Sequence, residues 1–171
     1  HIALLLLTYL ATLFALKNFA SNALPLATLV QSWNRWDSSH FVQIATKGYD
    51  AAYRTAFFPL FPMLEAGLGA LLHNPFVAGL IVSNLAGLAM LTVLYRLVAE
   101  DFGAERAWRS VLYLALFPTA FFFAAAYNES LFLCLALLSF YYMRRGRWWL
   151  VGLFGFLASL TRSAGLLLLL P

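Results

Sequence analysis

Three ionisable side chains are set against long apolar runs in this chain: Asp37, Glu129 and Arg162. Asp37 lies in Trp33-Asn34-Arg35-Trp36-Asp37-Ser38-Ser39-His40-Phe41, a stretch whose two tryptophans, one arginine and one acid suit the edge of a bilayer. An aspartate flanked by aromatics there loses part of its hydration and becomes a better general base. His40, three residues on, falls on the same helix face. The same pattern has a plainer reading. Ser38 to Lys47 reads as a short helix with Asp37 as its N-cap, Trp36 and Phe41 as a hydrophobic staple, and Gly48 as the residue that ends it. Arg35 reads either as an arginine snorkelling to the interface or as a ligand contact. Lys47 and Arg54 read as solvated loop charges.

Glu129 stands at the mouth of two apolar runs beside Tyr127 and Asn128, either as an ordinary polar turn residue or as a site group. Asn128-Glu129-Ser130 fits the N-glycosylation pattern, but so close to an apolar run it is a poor acceptor. Arg162 interrupts the last apolar run. Counted as continuous helix from Trp148, it falls roughly 21 Å in, within a hydrocarbon core about 30 Å thick. A charge at that depth snorkels to the far interface, or needs a partner or a wet cavity, and the forked guanidinium suits a phosphate.

The elements that must position these groups follow from composition. The chain is 63% apolar, 17% aromatic and only 11% charged, with 11 basic against 7 acidic residues. A soluble domain of this length has too little interior for so much apolar surface. The basic residues are scattered or gathered in one short turn, which excludes a nucleic-acid surface, and the lone Cys134 excludes disulfides and cysteine-based metal sites. The predicted fold is all-α, a polytopic transmembrane helix bundle over residues 1–171. Its expected crossings are Ile2 to Leu16, Pro75 to Val98, Ser110 to Ala126, Leu131 to Met143 and the run from Trp148 past Arg162 to Pro171. Phe57 to Leu72 is apolar too, but it is short, carries Glu65 and is broken by Pro59 and Pro62, so it is expected to dip in or lie at the interface. Ser83-x-x-x-Gly87 and Gly152-x-x-Gly155 are close-packing signals between helices. The chain begins at His1 and stops in an apolar run, so it is expected to be the N-terminal part of a longer protein.

Arg144, Arg145 and Arg147 in one tight turn mark the cytoplasmic side. Counting back, Arg106 and Arg109 share that side, and Tyr127 to Ser130 face the other. If Phe57 to Leu72 does not cross, Asp37 joins Glu129 and Arg162 on the non-cytoplasmic face. Two acids and an arginine at a membrane edge suit an enzyme whose substrate is a lipid-linked phosphate. The alternatives are a transporter or flippase module with Glu129 and Arg162 on its pathway, and a non-catalytic membrane protein in which Asp37 is only a cap.

Six motifs in order add a resemblance. Trp36-Asp37-Ser38-Ser39-His40-Phe41, Gly48-Tyr49, Ala56-Phe57-Phe58-Pro59-Leu60-Phe61-Pro62, Phe117-Pro118-Thr119-Ala120, Tyr127-Asn128-Glu129-Ser130-Leu131-Phe132 and Thr161-Arg162-Ser163-Ala164-Gly165-Leu166 resemble the PIG-V-type mannosyltransferases, here as a bacterial-looking relative. The resemblance implies a GT-C-like bundle with an interfacial helix in its first non-cytoplasmic loop. It implies a multi-pass enzyme, in the plasma membrane of a bacterium or the endoplasmic reticulum of eukaryotic relatives, with its active site on the non-cytoplasmic face. The implied activity is inverting transfer of mannose from a polyprenyl- or dolichyl-phosphate donor to a glycan or glycolipid acceptor, such as a glycosylphosphatidylinositol. Asp37 is then the base, Arg162 stabilises the departing phosphate, and His40, Arg35, Tyr127 and Glu129 contact substrate. The scheme requires neither cofactor nor metal, and its partners are the lipid donor, the acceptor and membrane lipids, with no nucleic acid.

Overall fold

A computed structural model describes residue 31 and residues 33–169. The expected crossing from Ile2 to Leu16 lies outside the described residues. Within them the chain is helical and contains no strand. The α-helices are α1 (Asp37–Lys47), α2 (Leu60–Leu72), α3 (Pro75–Phe102), α4 (Ala104–Leu116), α5 (Glu129–Met143) and α6 (Trp148–Ser159), with 3-10 turns at Ala52–Ala56, Pro118–Phe123 and Ser163–Leu169.

Helix α3 organises the rest, with α2, α4 and α5 packed directly on it; α6 packs on α5, and α1 rests on α2 and α3. Its start follows from local chemistry. The Asn74 side chain accepts from the Val77 N–H at 3.1 Å, and Pro75 occupies the first turn, where a missing N–H costs nothing. Gly103, at φ 85°, ends it. Its 28 residues, about 42 Å of rise, make it the one helix among the described residues long and apolar enough to cross a membrane. Small residues bring its neighbours close. Ser83 is fully buried, and a Cβ on Gly87 would lie 3.4 Å from both the Phe123 carbonyl and the Ser130 hydroxyl, as the Ser83-x-x-x-Gly87 spacing predicts. Of the second pair only Gly155 is buried. At the far end of α3, Asp101 and Glu100 pair with Arg144 and Arg145 of the turn after α5.

Two expected crossings come out differently. Ser110 to Ala126 is not one helix: α4 ends at Leu116, Phe117 is extended and a 3-10 turn follows. Pro118 has no N–H to continue the ladder and disfavours helical backbone at the residue before it. The run from Trp148 is also cut, because α6 stops at Ser159. There the hydroxyls of Ser159 and Thr161 donate to the carbonyls of Phe156 (2.7 Å) and Ala158 (2.6 Å), competing with the backbone ladder. The chain then folds back so tightly that a Cβ on Gly165 would overlap the backbone of Ala158 and Ser159. Arg162 is therefore not held inside a continuous helix but stands just past the end of α6.

Candidate active site

Four stretches distant in sequence close on one cavity of about 180 Å³. They are Asp37 and Phe41 of α1, the strip Ala56 to Phe58, Asn128 ahead of α5, and Thr161 to Ser163 beyond α6. Asp37 and Arg162 thus share a cavity. Glu129 is tied to it through Arg162, whose Nη1 donates to Glu129 Oε1 at 2.6 Å. The other Glu129 oxygen is buried without a hydrogen-bond partner among the described residues.

Asp37 is not the cap expected of it. Helix α1 starts one residue earlier than the pattern suggests: Trp36 is the N-cap residue and no side chain caps the helix. Trp36 holds φ 51°, rare for a bulky side chain. Its carbonyl accepts from both the N–H (3.1 Å) and the hydroxyl (2.7 Å) of Ser39. These bonds occupy the first turn, and Asp37 lines the cavity. Asp37 is exposed, not buried among flanking aromatics as the sequence suggested. The expected staple is absent: Trp36 is 70% exposed, while Phe41 packs on Phe57 and Phe61. Gly48 does close the helix, at φ 72° with its N–H donating to the Ile44 carbonyl at 2.8 Å.

The remaining sequence candidates separate. His40 does not line the cavity. It is wedged between the rings of Tyr53 and Phe57, with centroids 5.8 and 5.0 Å away, and so backs the cavity wall. Tyr127 is buried, and its hydroxyl donates to the Arg35 carbonyl at 3.1 Å; its own carbonyl accepts from Ser83 at 2.7 Å. It straps the Arg35–Asp37 strip to the bundle instead of touching the cavity. Burial, helped by the negative charges of Asp37 and Glu129, pushes its phenol up to about 12. Arg35 takes part through that backbone carbonyl, and its side chain is not among those lining the cavity. Arg54, read from sequence as a solvated charge, is buried. It bonds the side chains of Asp50 and Gln43, because the 3-10 turn at Ala52–Ala56 folds it back under α1.

The sequence reading missed Asn128 and Thr161, both buried and both in the cavity wall. The amide of Asn128 donates to the Thr161 carbonyl at 2.8 Å. The failed glycosylation pattern was the available clue, since Asn128 and Ser130 are both turned inward. Glu65 was read from sequence only as a reason for Phe57 to Leu72 not to cross. It is fully buried on α2, neither oxygen has a hydrogen-bond partner among the described residues, and a Cβ on Gly79 would overlap its carboxyl. Among the described residues no cluster of His, Cys, Asp and Glu could hold a metal ion. An acid and an arginine lining one small cavity can take a proton and neutralise an anion there.

Comparison with known proteins bears on which reaction that is. The family model Mannosyltransferase (PIG-V) matches residues 10–169. The GPI alpha-1,6-mannosyltransferase 2 of Rattus norvegicus is 35% identical over 151 residues, covering 81% of this chain and 30% of the rat protein. That of Homo sapiens is 32% identical over 150 residues with the same coverage. GPI mannosyltransferase 2 of Cryptococcus neoformans is 35% identical over 97 residues, 50% of this chain and 23% of the fungal protein. No solved structure matches. The chain spans less than a third of the length of these relatives, and it belongs to the PIG-V mannosyltransferase family.

Proposed function

We propose that residues 1–171 form one transmembrane domain of a polytopic, GT-C-type glycosyltransferase. It moves mannose from a polyprenyl- or dolichyl-phosphate carrier to a glycolipid acceptor, which the names of the relatives suggest is a glycosylphosphatidylinositol precursor. The observation that carries this reading is the cavity shared by Asp37 and Arg162, with Glu129 holding the arginine. The acceptor hydroxyl attacks the anomeric carbon of the sugar, and Asp37 takes its proton. The bond from that carbon to the carrier's phosphate oxygen breaks with inversion, and the electron pair leaves on the phosphate. Arg162 is close by to offset that charge. In the proposed topology α2, which starts at Pro59-Leu60 and carries the fully buried Glu65, does not cross. A non-crossing α2 leaves Asp37, Glu129 and Arg162 together on the non-cytoplasmic side of a multi-pass membrane enzyme, with α1 as the interfacial helix.

The test is Asp37→Asn in the full-length protein, assayed in membranes with a polyprenyl-phosphate mannose donor. The substitution keeps size and removes the base. Transfer is expected to fall at least about a hundredfold. Near-normal transfer would remove Asp37 as the base.

A further inference from the structure

We infer that Asn128 is the positioning residue for Arg162, an inference that rests on the mannosyl-transfer reading above. Asn128 sits at the N-cap of α5, where an asparagine ordinarily accepts from its own helix's first N–H groups. It makes no such cap bond. Its side chain turns away from α5 and gives its amide to the Thr161 carbonyl at 2.8 Å, next in sequence to Arg162.

That carbonyl belongs to the frayed end of α6. A helix end leaves its last carbonyls without intrahelical donors, and buried ones must be satisfied from elsewhere. Here each of two neighbours draws a donor from a different element. The Leu160 carbonyl accepts from the Leu60 N–H of α2 at 2.9 Å, and the Thr161 carbonyl accepts from Asn128. Thr161 is fully buried, so the turn has no water to fall back on. The residue after Asn128 then grips the guanidinium itself. Consecutive side chains of one turn therefore hold Arg162 at both ends, the backbone by Asn128 and the charge by Glu129. Asn128 also lines the cavity, so any shift of this clamp moves the arginine relative to Asp37.

The experiment is a double-mutant cycle in full-length protein, with Asn128→Ala and Arg162→Lys singly and together. Turnover and donor KM are measured on a polyprenyl-phosphate mannose. Asn128→Ala is expected to lower kcat about tenfold to a hundredfold, with donor KM changed less than about threefold, because a displaced charge fails the transition state more than the ground state. In the Arg162→Lys background the same change is expected to cost less than about threefold more. A full, additive loss there would overturn the inference, since Asn128 would then act independently of Arg162. Arg162→Lys with wild-type turnover would instead overturn the role given to Arg162. Asn128→Asp keeps the side chain's volume while removing the donor. It serves the same cycle should the alanine variant fail to fold, and kcat as high as wild type in it also refutes the inference.

Discussion

Glu129→Gln probes the ion pair that holds the arginine without altering the arginine itself. A charge-assisted hydrogen bond contributes about 1.5–3 kcal/mol when water is kept from it. The pair is 2.6 Å long, but its side chains are 42% and 25% exposed for Arg162 and Glu129, so screening reduces this to about 1–1.5 kcal/mol. At about 1.4 kcal/mol per factor of ten, the guanidinium spends roughly five to ten times less of its time in place. If that placement is what the departing phosphate needs, kcat falls by the same factor of about five to ten, while folding stability falls by no more than about 1–1.5 kcal/mol. The assay is transfer of labelled mannose from a polyprenyl-phosphate donor in membranes holding equal amounts of each variant. Arg162→Gln should lose far more, about a hundredfold or beyond. The charge swap Glu129→Arg with Arg162→Glu should not recover activity, because it restores the pair but points an anion at the phosphate. Wild-type kcat in Glu129→Gln would refute the reasoning, and so would an active charge swap.

Three further outcomes are expected. Tyr127→Phe removes the 3.1 Å bond to the Arg35 carbonyl and should cost about 1 kcal/mol of stability in detergent at neutral pH. The folded phenol lies at about 12, above its ordinary 10, so the unfolded chain gives up this proton first. The advantage of wild type over Tyr127→Phe should therefore hold below pH 10 and disappear between pH 10 and 12; an advantage that grows in that window contradicts the assignment. Gly79→Ala drives a methyl group into the Glu65 carboxyl and towards Ala126, and should destabilise by about 1–3 kcal/mol. Adding Glu65→Ala should recover most of that loss in a thermal melt. Single cysteines at the exposed positions Thr55 and His73, on either side of α2, should label from one side of sealed vesicles in a Cys134→Ser background, and one at exposed Ala104 from the other. Opposite labelling of Thr55 and His73 would mean that α2 crosses.

By itself the sequence determined the helical class, the apolar character and three ionisable groups of the site, because each is a local property. Hydrophobic run length marks α3 from Pro75, although the helix runs on past the expected Val98 to Phe102, and a charge stranded in an apolar run is conspicuous whatever the fold. What hydropathy could not show is where an apolar run stops being helix. Phe117-Pro118 and the hydroxyls around Ser159 break two runs that read as continuous, and those breaks put Arg162 on a turn. Only tertiary structure decided the partners. His40 and Asp37 share a helix face by spacing, yet the rings of Tyr53 and Phe57 claim His40 while Asp37 meets the cavity. Tyr127 reads as a substrate contact beside Glu129, but its hydroxyl is spent on a carbonyl 92 residues away. Asn128 stood in the sequence only in a discounted glycosylation pattern, and its partner appears only when the end of α6 supplies a carbonyl for it. Local periodicity sets which way a side chain leaves its own element; what it meets there is set by the packing of elements far apart in the chain.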